Sequence, residues 1–556
     1  MVQTNNTGRG LPALMVLAMG LLVVVPVAFV LLQAVFPGVA QARWGAPLSH
    51  WRGLWQSTEV LHLLGNTLQL GAWVVAGSLL LGVPLGLLRG LCRLPAAALW
   101  DGCFLVPFMV PPYIAAMAWI LLLQPAGYLQ QSTGVHAAEL LFSVPGVVLV
   151  MVLNLFPVVY FAVSRAATAA GGRMAVVARV CGAGPWQALW RITLPLALPA
   201  MAASALLVFA MTIEEYGTPA VLASNVGFGV LVTGIEQRLS DWPIDLPGAS
   251  LLSVVLMVLA VLAYVLQRRL LSGRGYEATD GKPQEFALVP LGGWQWPVLA
   301  VIALVAVCAT VLPLLSIAAT AFTGTLSGGV ARENWTLRHF ESVLTGGSQA
   351  MQALGTSFAL ALAAALLVGV LGAAVAYCTV RLRTSTAVWL DAVSILPNAM
   401  PGMVVAVGMI LAWNQPWLPA TPYNTWLILW MAYACLLLPY PVRYAHAALQ
   451  QINVSLESAA RVHGASLWQM LRHVVAPLLA PSVAAAMLLV FAIASRELVA
   501  SLLLAPTGVQ TVSVYVWRQF EQGSVGEGMA MSLLAMGVTV SLVWLAHRLA
   551  ARSRKA

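Results

Sequence analysis

The sequence predicts an all-α polytopic membrane protein with about 12 transmembrane helices in two parallel six-helix repeats. Three observations predict it: composition, the spacing of apolar runs, and one long segment written twice. Only 8% of the 556 residues are charged and 61% are hydrophobic, with a mean hydropathy of +0.89. A soluble chain of this length could not bury so much apolar surface, so lipid must be its solvent. Apolar runs fall at 11–35, 64–88, 100–123, 141–163, 196–213 and 249–267, then at 297–322, 352–377, 387–413, 425–442, 482–504 and 529–547. Each approaches the ~20 residues that carry a helix across ~30 Å of hydrocarbon. Helices are expected because lipid leaves no backbone polar group a partner outside the segment, and no alternating strand pattern competes. The tenth run is the weakest, with Pro439 and Pro441 at its end. The first is too long for a signal peptide and lacks a clear small-residue cleavage site, so it reads as a retained span.

Charge sets the orientation. Of 27 Lys and Arg, 20 fall on the even-numbered loops and the two termini, six lie on the opposite side, and Arg496 sits within a span. The positive-inside rule then makes both termini and the repeated loops cytoplasmic. The sequence pI of about 9.5 follows from that topology, and no nucleic-acid partner is expected. The six cysteines are scattered and form no CxxC, so they read as small apolar fillers rather than zinc ligands or a disulfide framework. His446, His463, His473 and His547 are isolated and read as surface or headgroup histidines.

A polar stretch at 268–293 divides six spans from six, giving a first transmembrane domain at 1–267, a cytoplasmic linker at 268–293 and a second transmembrane domain at 294–556. The halves align. At an offset of 290, Leu64-Gly65 matches Leu354-Gly355, and Pro107 and Pro111 match Pro397 and Pro401. At an offset of 282, residues 178–215 match 460–497 at 19 of 38 positions without a gap. Each half has six spans, so both share one orientation and the pseudo-axis should run along the membrane normal, with a pathway between the halves. Proline inside a helix removes a backbone donor, tolerable in lipid only where a neighbour or cavity satisfies the freed carbonyl. The four prolines therefore predict kinked third and ninth spans, either for packing or lining the pathway.

The repeated cytoplasmic segment reads "ARVCGAGPWQALWRITLPLALP" at 178–199 and "ARVHGASLWQMLRHVVAPLLAP" at 460–481. Arg179 and Arg461 precede Gly182 and Gly464, where the backbone can turn sharply. Trp186 and Trp468 follow, before Pro195 or Pro477 opens the next span. Two short helices with a bend, presenting Trp and Arg, suit a docking surface. An interfacial helix lying on the headgroups is the plainer alternative, which duplication with the same glycines and prolines disfavours.

These loops resemble the EAA motif of permeases from binding-protein-dependent ABC importers, roughly E-A-A-x-x-x-G followed by a distal L-P or A-P. "ESAARVHGASLWQMLRHVVAP" from Glu457 matches with one extra residue between Glu457 and Gly464, whereas "AVVARVCGAGPWQALWRITLP" has Ala175 in place of that glutamate. The resemblance covers nearly the whole chain, including the six-plus-six fusion, and is similar to fused permeases for ferric iron or thiamine. "FAMTIEEYGTPAVLAS" and "FAIASRELVASLLLAP" after the loops look more like the ferric-iron branch. It implies a type I importer permease fold and two copies of an ABC ATPase subunit gripped by the two loops. It also implies a periplasmic or lipoprotein substrate-binding protein that delivers a metal or small-molecule substrate, surrounding membrane lipid, and ATP and Mg2+ used by the partner ATPases. No G-x-x-x-x-G-K-[ST] occurs, so this chain should bind no nucleotide or cofactor itself and should not be an enzyme on its own. A major-facilitator-type secondary carrier shares the six-plus-six plan but should carry intramembrane acidic or histidine relays. A membrane transferase lacks its paired carboxylates here.

Two expectations concern charges. Glu457 should make a charge-assisted contact with an ATPase arginine, or else offset Arg461 four residues on. Glu214 and Glu215 end span five with Tyr216 beside them, and Arg496 and Glu497 occupy the aligned positions in span eleven. Charges at such depth usually face a cavity or each other. The group is expected either to clasp the outward mouth or to attract a cation, for which Glu and Tyr oxygens suit ferric iron, while thiamine or a zwitterionic phosphonate remain alternatives.

Overall fold

A computed structural model describes residues 10–39, 43–171, 178, 180–272, 288–382 and 384–553. Arg179 and most of the linker at 268–293 lie outside the described residues. The secondary structure is helical apart from a two-residue parallel pair, Cys92–Arg93 with Val289–Pro290, and one isolated bridge between Thr323 and Trp335.

Among the described residues ten helices are long and apolar enough to cross a membrane, beginning with Gly10–Val35 and Thr58–Leu91 and ending with Val525–Leu542. Three further pairs are bent: Ser385–Ala399 with Gly402–Trp413 at 114°, Trp426–Leu437 with Pro439–Gln451 at 43°, and Pro219–Val226 with Leu231–Ser240 at 93°. The weak tenth run is thus one span bent at Pro439. Spans three and nine are more than kinked. Span three divides into Ala97–Met109 and Pro112–Leu123, with Pro111 extended between them (φ −54°, ψ 133°). Span nine divides in the same way, with Pro401 at φ −56°, ψ 143°. The bent pair at 219–240 has its counterpart in Val499–Leu504 and Val512–Glu521, two short helices that likewise follow the acidic turn of their repeat.

Proline also writes a smaller irregularity. The residue before Pro26, Pro195, Pro313 and Pro477 donates five residues back: Val25 to Gly20, Leu194 to Leu189, Leu312 to Val307, and Ala476 to Leu471. The pyrrolidine ring cannot donate and crowds the preceding turn, so the ladder widens by one residue just ahead of it. The bulges in spans one and seven match each other, as do those in the two loops, extending the repeat beyond the segments whose sequences align.

The chain packs as two compact units that cut across its covalent halves. One comprises 1–54, 238–257 and 338–556; the other comprises 55–237 and 258–337. Span one therefore packs with the second repeat and span seven with the first. In the first-named unit, Gly10–Val35 lies so close to Gly402–Trp413 that a Cβ at Gly408 would stand 2.7 Å from the Pro26 carbonyl oxygen. In the other, Gly292–Phe322 is stitched to span three by hydroxyls. Ser316 Oγ donates to the Ala118 carbonyl at 2.9 Å, Thr310 Oγ1 to that of Cys103 at 2.6 Å, and Thr320 Oγ1 to Tyr128 Oη at 3.1 Å. Lipid offers no hydrophobic drive between apolar helices, so close backbone approach and hydroxyl bonds of this kind hold them together.

Candidate coupling loops and membrane gate

The two loops turn by the same geometry. Gly182 has φ +90° and Gly464 has φ +84°, left-handed values that L side chains rarely adopt. The next amide reaches back five residues in each, Ala183 N to Ala178 O at 2.9 Å and Ala465 N to Ala460 O at 3.0 Å, which in the second loop closes the helix Val454–Val462. The residue after each tryptophan fixes the second helix. Gln187 Oε1 accepts from Gly184 N at 3.2 Å, and Gln469 Oε1 accepts from Ser466 N at 2.8 Å. Ser466 Oγ returns the favour by accepting from Gln469 N at 3.3 Å, a reciprocal N-terminal cap. The sequence reading noted the Trp-Gln pair without assigning the glutamines this role.

With the turn so fixed, Trp186 is 72% exposed and Trp468 is 70% exposed, and Val180 and Val462 stand out beside them. Ala188 and Met470 point the other way and are buried. Each loop is an elbow with an apolar outer tip, and among the described residues nothing lies within 4 Å of a Cβ placed on either glycine. Arg461 is exposed on the same loop.

Glu457 corrects its expectation. Its carboxylate is 5% exposed and turned into the chain, with Oε1 accepting from Arg381 Nε at 2.6 Å. Oε2 lies 3.4 Å from the Tyr377 hydroxyl. The ion-pair partner is an arginine at the end of span eight, while Arg461, four residues on along the same helix and exposed, hydrogen-bonds the Tyr377 hydroxyl.

The acidic residues at the other membrane face have a structural task that the sequence reading did not foresee. Glu214 ends its helix, and Glu215 is extended at ψ 122°. Glu215 Oε2 accepts from Thr218 N at 2.9 Å, capping the helix that begins at Pro219. In the second repeat Glu497 accepts from Ala500 N at 3.2 and 3.3 Å, capping Val499–Leu504. Orphan amides at a helix start favour a carboxylate there, and the same spacing of three residues serves both. Each acidic turn abuts the broken span of its own repeat. Thr218 Oγ1 donates to the Pro112 carbonyl at 3.5 Å, and a Cβ at Gly217 would collide with Tyr113. In the second repeat a Cβ at Gly402 would stand 3.8 Å from Glu497 Oε1. Pro111 with Glu215, and Pro401 with Glu497, are thus brought to one place in each repeat. Tyr216 is buried, while Glu214 and Arg496 are half-buried. Pro107 sits one turn before its break, and Pro397 lies in the 3-10 turn Leu396–Ala399. Asn154 supplies the neighbour that the first break requires, donating from Nδ2 to the Pro107 carbonyl at 3.0 Å, the acceptor that Pro111 cannot reach. Among the described residues no cluster of three or more His, Cys, Asp or Glu is placed to hold a metal ion.

Two repeats of spanning helices, each with a glycine-turned elbow and a broken span against an acidic turn, define a polytopic transport permease. Its family is that of the binding-protein-dependent transport system inner membrane component, which matches residues 82–274 and again 365–555; the chain belongs to it. The Fe(3+)-transport system permease protein FbpB 2 of Haemophilus influenzae is 24% identical over 84% of this chain and 87% of its own length. The ferric transport system permease protein FbpB of Actinobacillus pleuropneumoniae is 23% identical over 87% of this chain and 70% of its own. A putative 2-aminoethylphosphonate transport system permease protein, PhnV of Salmonella typhimurium, is 29% identical over 40% of this chain and 83% of its own. The chain is therefore a fused pair of permease domains with the ABC importer permease fold, in a family of the bacterial inner membrane.

Proposed function

We propose that this chain forms the translocation pathway of an ATP-driven importer. Its two elbows seat in two copies of a separate ABC ATPase subunit, and both termini lie on that cytoplasmic side. A periplasmic or lipoprotein binding protein delivers cargo to the opposite face. The observation that carries the reading is the duplicated elbow: the same left-handed glycine, the same five-residue closure and the same outward tryptophan in both repeats. Two tips turned by the same geometry suit two copies of one cleft. A headgroup-lying helix would need neither the glycine turn nor the glutamine cap. ATP and Mg2+ act on the partner subunits, and this chain binds no cofactor of its own.

Ferric iron is the favoured cargo. The two ferric-permease relatives align along most of this chain, whereas the phosphonate relative aligns with less than half of it. The acidic turns give a cationic solute carboxylates to pass. A phosphonate or thiamine carried by the same machinery is the alternative. Proteoliposomes holding the permease with its ATPase and binding protein should take up ferric iron on adding ATP. Uptake of thiamine or aminoethylphosphonate with no uptake of iron would move the assignment to that cargo. Failure of any ATPase subunit to co-purify with the chain would sink the importer reading itself.

A further inference from the structure

Arg381, Tyr377 and Glu457 form a polar cluster that a docking loop does not by itself require. Arg381 is the last residue of the helix Gln349–Arg381. Its Nε donates to Glu457 at 2.6 Å, and its Nη2 donates to the Ile452 carbonyl at 3.0 Å, just past the helix Pro439–Gln451. Three elements therefore meet at one guanidinium: the end of span eight, the end of span ten and the first helix of the second loop. The two charged side chains are 12% and 7% exposed. Tyr377, one turn earlier, also belongs to an apolar cluster with Leu449, Met470 and Val475. The pair thus caps the patch on which the loop's second helix rests.

The internal repeat supplies a second, independent observation. At the offset that aligns spans two and eight, Leu91 stands for Arg381 and Leu87 for Tyr377; Ala175 stands for Glu457. Acid, base and hydroxyl are all replaced by apolar residues together. A buried pair demands this joint exchange, because either charge alone would be left unpaired in a dry place. A glutamate serving only an outside partner would place no such demand on Arg381 and Tyr377.

We propose that Arg381 is a positioning residue that ties the second cytoplasmic loop, through Glu457, to the end of span eight, so that the two loops are coupled to the membrane helices unequally. Movement of span eight reaches Trp468 through an ion pair, whereas the first repeat has Leu91 and Ala175 at the positions of that pair. The effect on transport rests on the docking function proposed above; the tether itself does not.

The test uses the full chain in lipid nanodiscs and the double variant R381L/E457A, which reproduces the residues of the first repeat and strands no charge. Amide exchange across 454–470 should quicken about tenfold, while 180–190 stays at the native rate. With the ATPase and binding protein added, uptake per ATP hydrolysed should fall about fivefold without loss of ATPase binding. The reversed pair R381E/E457R should restore part of both. Unchanged exchange at 454–470 in the double variant overturns the tether. Quickened exchange with native uptake per ATP overturns its positioning role. Should the native chain bind no ATPase, the docking function fails while the exchange measurement still decides the tether.

Discussion

At single residues the backbone of the loops decides most. Gly182 and Gly464 have open space where a side chain would go, so the barrier to substitution is the left-handed backbone itself, about 1–2 kcal/mol for an ordinary L residue. Asparagine tolerates this conformation and a β-branched residue does not. Gly464→Asn should therefore keep most ATP-driven uptake, and Gly464→Val should abolish it with the permease still present in the membrane; equal uptake by the two variants would remove the elbow from the mechanism. The acidic turns allow a similar separation. Glu215→Gln and Glu497→Gln keep an oxygen that can accept from Thr218 or Ala500 but lose the charge, whereas alanine loses both, at about 0.5–2 kcal/mol for a lost cap. If the charge serves a cationic cargo, glutamine should lose transport at normal ATPase activity, and only alanine should lower thermal stability. Raised basal ATPase activity in the glutamine variants would point instead to a clasp that holds the outward mouth closed.

Helices set the next scale, and there the breaks matter more than the lengths. The sequence marked Pro107, Pro111, Pro397 and Pro401 as paired irregularities but suggested only kinks, because proline chemistry states which bond is lost and not how far the chain then turns. Asn154 lies in the fourth apolar run with nothing in the local sequence to single it out. Asn154→Leu should leave the Pro107 carbonyl unpaired in the membrane interior, costing about 1–3 kcal/mol. A lowered melting temperature of the purified permease would register it, and no change would mean that water or a relaxed backbone replaces the amide. Gly408 offers a packing test. A leucine there must displace the Pro26 backbone, since the Cβ alone would meet its carbonyl oxygen at 2.7 Å. Overpacking of this kind costs about 1–3 kcal/mol, and it should free the Gly10–Val35 helix to proteolysis at its ends.

For the whole molecule the exchange of first spans has a consequence for assembly. Span one belongs to the unit containing 338–556, and span seven to the unit containing 55–237. Neither covalent half owns all the helices its repeat packs against. Chains 1–280 and 281–556, produced together, should assemble into a transport-competent pair. Each produced alone should be degraded or aggregate, because the partners of Ser316 and Thr310 on one side, and of Pro26 on the other, would be missing. Stable accumulation of either half alone would show that the exchanged helix contributes little. The joining segment at 268–293 would then matter only for keeping the halves in equal number.

By itself the sequence determined the solvent and the repeat, and set the expectation that the repeated loops face the cytoplasm. These depend on quantities that add along the chain: apolar length against bilayer thickness, the side on which arginine accumulates, and identity at a fixed offset. It also located the glycine turns and the acidic pairs, since glycine at a helix end and charge beside an apolar run are local signals. Tertiary structure alone decided which repeat each first span joins, how far spans three and nine break, and where the polar side chains find partners. Glu457 shows why. Its neighbours in sequence are Arg461 and the loop, yet the face of the helix Val454–Val462 on which it lies turns it toward Arg381, 76 residues earlier. Glu215 and Glu497 read in the sequence as a clasp or a cation site, whereas in the structure the short helix that follows each one sets an amide three residues on against its carboxylate. A carboxylate in a dry interior takes whichever donor the packed helices bring within reach, and that donor is fixed by how the helices cross in space rather than by their order along the chain.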